Sequence, residues 1–82
     1  MNEVGSLDAQ LFPNPVSNDL RLMTNNFFNH IQVMDMKGRI ILNLTFPDTK
    51  SSNIDVTGLE SGLYFIIFEG DLLFGKRSFV KE

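Results

Sequence analysis

The stretch HIQVMDMKGRIILNLTF, residues 30–46, decides the fold class. Ile31 and Val33 alternate with His30, Gln32 and Met34, and a second apolar run follows from Ile40. A period of two places alternate side chains on opposite faces of a strand. Between the runs lies Met36-Lys37-Gly38-Arg39. A short hairpin loop needs a left-handed residue, and Gly38 supplies it without a Cβ penalty. The stretch therefore reads as strand, tight turn, strand. In the second run Ile40, Leu42, Leu44 and Phe46 are expected on one face and Ile41, Asn43 and Thr45 on the other.

The same period extends in both directions. In DLRLM, Leu20 and Leu22 oppose Asp19, Arg21 and Met23. NIDV contributes Ile54 and Val56, and LYFIIFE is almost continuously apolar, as a central strand should be. LLFGKRSFVKE is a last, more polar strand, and QLF an initial short one. These runs predict an all-β fold, a small seven-stranded antiparallel Ig-like β-sandwich. No stretch reads convincingly as a helix; Asn25 to Phe28 and the TGLESG segment at 57–62 are the only candidates for a helical turn. Residues 46–53, FPDTKSSN, read as a surface connection, and Gly70-Asp71 as a two-residue hairpin turn. Residues 1–9 read as a linker or flexible tail and 10–82 as the folded domain.

Ahead of the DLRLM strand stands LFPNPV, residues 11–16. Pro13 and Pro15 lack a backbone N–H and fix φ, and Asn14 is pushed towards extended geometry. Such a lead-in cannot join a central ladder but can lie along a sheet edge. Its prolines are expected to discourage edge-to-edge aggregation. At the other end of the domain, Tyr64 is the only tyrosine and follows a Gly-containing turn. In sandwich domains a tyrosine so placed folds its hydroxyl back onto the backbone upstream, and Leu59 is a plausible plug beneath it.

Composition narrows the function. The chain has 82 residues, no Cys and a formal net charge of −3. One small domain with a thin stability margin follows, without disulfides or thiolate chemistry. An acidic chain argues against a nucleic-acid partner. No apolar run approaches the roughly 20 residues that span a bilayer. The start, MNEVGSLDAQ, lacks the pattern of a signal peptide, and the chain reads as a domain of something larger.

Catalytic chemistry needs converging groups, and none stands out. His30 is the only histidine and lies on a strand face opposite Ile31 and Val33. The serines lack a nucleophile-elbow context, and the aspartates show no calcium-loop spacing. Neither an enzyme, a metal nor a cofactor is expected. Ile41, Phe65 and Ile67 point away from the main apolar faces, so they are either covered or form an exposed docking patch.

Four segments in order carry a resemblance. They are Pro13-Asn14-Pro15; the turn Met34 to Arg39, with Asp35, Gly38 and Arg39; Leu59 to Phe65, with Leu59, Gly62 and Tyr64; and the basic terminal strand KRSFVKE, Lys76 to Glu82. Over residues 11–82 the chain resembles the C-terminal sorting domains, type A, of the type IX, or Por, secretion system of Gram-negative bacteria. Phe12 and Met34 stand where that family usually has tyrosine, and Glu82 follows Lys81 where the family usually ends. The resemblance implies a C-terminal signal that directs a cargo through the outer membrane. It implies an outer-membrane translocon and a shuttle protein as partners. It also implies a cell-surface sortase that removes the domain within the linker around Asn2 to Gln10. The location would be the periplasm in transit, then the cell surface or the medium. Recognition would fall on Lys76, Arg77, Phe79, Val80, Lys81 and Glu82, with the other motif residues mainly structural. By alternation Arg77, Phe79 and Lys81 share one face of that strand, and Lys76, Ser78 and Val80 the other. Weak self-association is a further expectation. The reading of another class is an Ig-like or fibronectin-like accessory module binding glycan or protein on an extracellular enzyme.

Overall fold

The computed structural model describes residues 9–82, all of whose regular elements are strands. They are β1 (Gln10–Phe12), β2 (Asp19–Met34), β3 (Ile40–Asp55), β4 (Gly62–Glu69) and β5 (Phe74–Lys81). Every strand pairing is antiparallel, in one curled sheet ordered β1-β2-β4-β5, with β3 also on β2.

The count is five strands, not the expected seven. The reason lies in β2 and β3, each 16 residues long. The run DLRLM continues through Asn25 to Phe28 into HIQVM, so no helical turn forms there. Likewise RIILNLTF continues through FPDTKSSN, which is strand and not a connection. Pro47 is tolerated because β3 pairs only with β2 among the described residues, leaving its other edge free of a ladder. Irregularities mark the joins: the β2–β3 register shifts between Met23 and Phe28 and again between Phe28 and His30. Bulges bend and twist a strand without ending it. As a result β2 changes neighbours along its length. Its first half lies between β1 and residues 51–55 of β3; its second half lies between β4 and residues 40–45. The second candidate for a helical turn, residues 57–61, is an irregular turn.

The turns follow from local chemistry. Gly38 has φ +85°, a conformation that side chains resist. The turn is held by the Asp35 carboxylate, which accepts from the Lys37 and Arg39 amides at 2.9 and 3.0 Å and from Arg39 Nε at 2.9 Å. The β4–β5 connection runs from Gly70 to Leu73, not through two residues, and is closed by Gly70 N–H to the Leu73 carbonyl at 2.8 Å. Leu73 turns into the core, which lengthens the loop. A Cβ at Gly70 would run into the Phe27 carbonyl oxygen, so glycine is needed for close approach of this loop to β2.

The core is built from the inward face of each run: Leu20, Leu22, Phe28, Ile31, Val33, Ile54, Val56, Tyr64, Ile66, Phe68, Leu73 and Phe79, with Val16. Phe28 meets Phe46 and Phe68 edge-to-face, at 5.8 and 6.4 Å between ring centres. One expected face is corrected. A register shift between Val33 and Met34 pairs Met34 with Ile40 while Val33 keeps Leu42, so Ile41 is the extra residue. Ile40 thereby leaves the inward face and is 47 % exposed.

Candidate functional site

The terminal strand β5 pairs with β4 along its whole length, from Gly62 opposite Lys81 to Glu69 opposite Phe74. Its alternation divides the six residues singled out in the sequence. Phe79 is fully buried, Lys81 is 8 % exposed and Arg77 is half-buried. Lys76, Val80 and Glu82 are exposed. Phe79 lies against Tyr64, its partner across the strands, with ring centres 5.7 Å apart and planes 21° from parallel. Burying a phenylalanine contributes about 2–3 kcal/mol, so β5 is a structural strand as well as a terminus. Lys81 lays its stem along the buried face and its Nζ donates to the backbone oxygen of Glu82 at 3.2 Å. Arg77 Nη1 donates to the Lys76 carbonyl at 3.1 Å.

The far edge of β5 meets the proline segment. Val16 pairs with Lys81 in a parallel bridge: Val16 N–H donates to the Val80 carbonyl and Glu82 N–H to the Val16 carbonyl, each at 2.9 Å. Neither Pro13 nor Pro15 has an N–H to give. Asn14, between them, instead adds an acceptor: its side-chain Oδ1 accepts the Val80 N–H at 2.9 Å. Ser17 Oγ donates to Glu82 Oε1 at 3.0 Å. The lead-in that the prolines stiffen is thus bound to the last three residues of the chain. Sequence reading missed Asn14 as an acceptor and Val16 as core. The available signal was one apolar residue isolated among polar ones directly after Pro-Asn-Pro.

The other two motifs come to the same end of the molecule. The Tyr64 hydroxyl donates to the Glu60 carbonyl at 2.7 Å, the corner expected from the sequence, and Leu59 packs against the core. The Asp35–Arg39 turn faces this corner across an open cleft of about 680 Å³. Its walls include Met36, Arg39 and Ile41 on one side, and Leu59, Ser61 and Tyr64 on the other. Hydrogen bonds from the Arg39 amide and guanidinium, then from the Lys37 amide, hold Asp35 below the usual carboxylate range. Bonds from the Thr57 hydroxyl and amide do the same for Asp55.

The outward face of β4 carries Leu63, Phe65 and Ile67, all half-buried. Lys76 Nζ stands 5.1 Å from the centre of the Phe65 ring. Ile41, 38 % exposed, lies beyond β2 from this pair rather than beside it, so the three residues do not form one compact patch. His30 is bonded across strands, with Nε2 2.6 Å from Asn43 Oδ1 and Nδ1 3.5 Å from Glu69 Oε1. Among the described residues no group of three or more His, Asp or Glu is arranged to hold a metal ion. The region around Asn2 to Asp8, expected to hold a cleavage site, lies outside the described residues; Ala9 packs against the core and Gln10 opens β1.

Residues 10–82 match the family model of the secretion system C-terminal sorting domain, the Por secretion tail. No curated protein matches the chain.

Proposed function

Because the chain belongs to the family of type IX secretion C-terminal sorting domains, we propose that it is a folded address label read at the outer membrane. The family is one of sorting signals rather than of enzymes, and membership implies contact with the secretion machinery and export to the cell surface or medium. Our finer reading is that a periplasmic cargo carrying this domain engages the translocon and a shuttle protein through β5. A surface sortase then cuts within the linker before Gln10. We also read the curled sheet as an Ig-like sandwich: dividing β2 and β3 at their bulges returns seven segments, with β1 and Val16 on opposite edges.

One observation carries the recognition reading. The terminal strand is a completed part of the fold, and it still presents Lys76, Ser78 and Val80 outward. A receptor meeting the folded domain would read that face and the edge around Glu82, not Phe79 or Lys81. Removing residues 76–82 is therefore a poor test, because it takes Phe79 from the core together with the signal.

The experiment fuses residues 1–82 behind a periplasmic reporter in a bacterium with a working type IX system. Appearance of the reporter at the surface or in the medium supports the sorting reading. A folded fusion that remains in the periplasm contradicts it and favours the accessory-module reading, to be followed by glycan and protein binding assays.

A further inference from the structure

The loop between β4 and β5 leans over β2. Gly70 approaches the Phe27 carbonyl and Leu73 is anchored in the core, which leaves Leu72 outside, 89 % exposed. Phe27, beside it, is 55 % exposed. Asn26, Phe27, Asp48, Asp71 and Leu72 line a depression of about 150 Å³. The bulge between Met23 and Phe28 lets Asn26 and Phe27, neighbours of opposite parity, both line it. A cavity of about 150 Å³ takes a benzene-sized group. The depression therefore fits a single apolar side chain and is too small for most small-molecule ligands.

The register of β1 says which side chain. Gln10 pairs with Met23, Leu11 with Leu22 and Phe12 with Arg21. Continuing this register sets Ala9 opposite Thr24, Asp8 opposite Asn25 and Leu7 opposite Asn26, which lines the depression. Residues directly opposite share a face, as do alternate residues of one strand. Ala9 and Leu11 both pack against the core, so Leu7 is next on the inward face and Asp8 falls on the other. Residues 1–8 lie outside the described chain, and Leu7 is two positions, about 7 Å, from Ala9. A group tethered this closely is presented at about millimolar effective concentration, so a weak apolar contact suffices to hold it. We propose that Leu7 seats in the depression between Phe27 and Leu72, continuing the line of β1. The proposal uses neither β5 nor the proline segment and is independent of the sorting reading. Under that reading, the linker open to a sortase is shortened to residues 1–6.

The test is NMR spectroscopy of the 82-residue chain. The expected result is nuclear Overhauser contacts from the Leu7 methyls to the Phe27 ring and to the Leu72 methyls. Leu72→Asp, at an exposed loop position, should abolish the Leu7–Phe27 contact and leave the core resonances in place. Leu7→Asp, ahead of the described fold, should move the Phe27 and Leu72 resonances and likewise spare the core. Mixing isotope-labelled with unlabelled chains separates a contact within one chain from one made by a second copy. Absence of the contacts overturns the proposal, as do contacts that arise only between copies. A Leu7–Phe27 contact that persists in Leu72→Asp, or Phe27 and Leu72 resonances that ignore Leu7→Asp, overturns it as well.

Discussion

Asn14 Oδ1 accepts the backbone N–H of Val80 at 2.9 Å, so a side chain set between two prolines holds the terminal strand of the domain. The two residues are 66 positions apart. Around them the Val16 bridge and the Ser17–Glu82 bond complete a clasp between the start of the fold and its end.

The clasp should be visible in hydrogen exchange. Asn14→Ala removes the acceptor and leaves the Val80 amide to solvent. That amide should exchange at least about tenfold faster, with a stability loss of about 1 kcal/mol, the usual net value of one hydrogen bond. Unchanged protection at Val80 would mean that the bond does not hold the strand.

Tyr64 anchors the second motif to the backbone. Tyr64→Phe keeps the ring against Phe79 and deletes only the bond to Glu60. Unfolding in urea should show a loss of about 1 kcal/mol. A loss near zero would indicate that ring packing alone makes the corner.

On β5, burial separates fold from charge. Phe79→Ala empties a core position and should cost about 3–5 kcal/mol, enough to unfold much of so small a domain. Lys81→Met keeps the stem and drops the ammonium, so it should preserve or raise the melting temperature. Export of a reporter by Lys81→Met then asks whether the charge itself is read.

Acid should loosen the turn that carries Asp35. Its carboxyl is held below the ordinary range in the folded state, so the unfolded chain takes up the proton first as pH falls. Its stabilising contribution is complete above the ordinary carboxylate range, about pH 4, and is lost as pH drops through the lower folded value. Asp55 behaves in the same direction. Urea unfolding across that range should show stability falling with pH, with a shallower fall in Asp35→Asn. An equal fall in both would place the acid sensitivity elsewhere.

The class of fold was legible because the alternation of Leu20, Leu22, Ile31, Val33, Ile54 and Val56 survives intact as the buried face. Tyr64 was legible because a lone tyrosine after a glycine turn has a limited set of uses. The strand count was not, because polar FPDTKSSN looks like a loop until β2 is there to pair with it. A composition reading cannot see that a bulged edge strand tolerates proline and serine where a central one would not. The shift of Ile40 to the outward face was hidden for a similar reason: one extra residue in a register changes every parity before it. The convergence of the four motifs at one end was invisible in one dimension. It depends on Val16 reaching β5 and on the Asp35 turn facing the Tyr64 corner, both long-range consequences of the sheet curling.

The most direct test of the central claim compares two reporter fusions in a strain with a working type IX system. One carries residues 1–82 unchanged, and the other carries Lys76→Glu with Val80→Asp on the exposed face of β5. Protease resistance confirms that both domains are folded. The account predicts that the unchanged fusion reaches the surface or the medium and that the double variant accumulates in the periplasm. Equal export of both would contradict recognition through that face, and retention of the unchanged, folded fusion would contradict the sorting function itself.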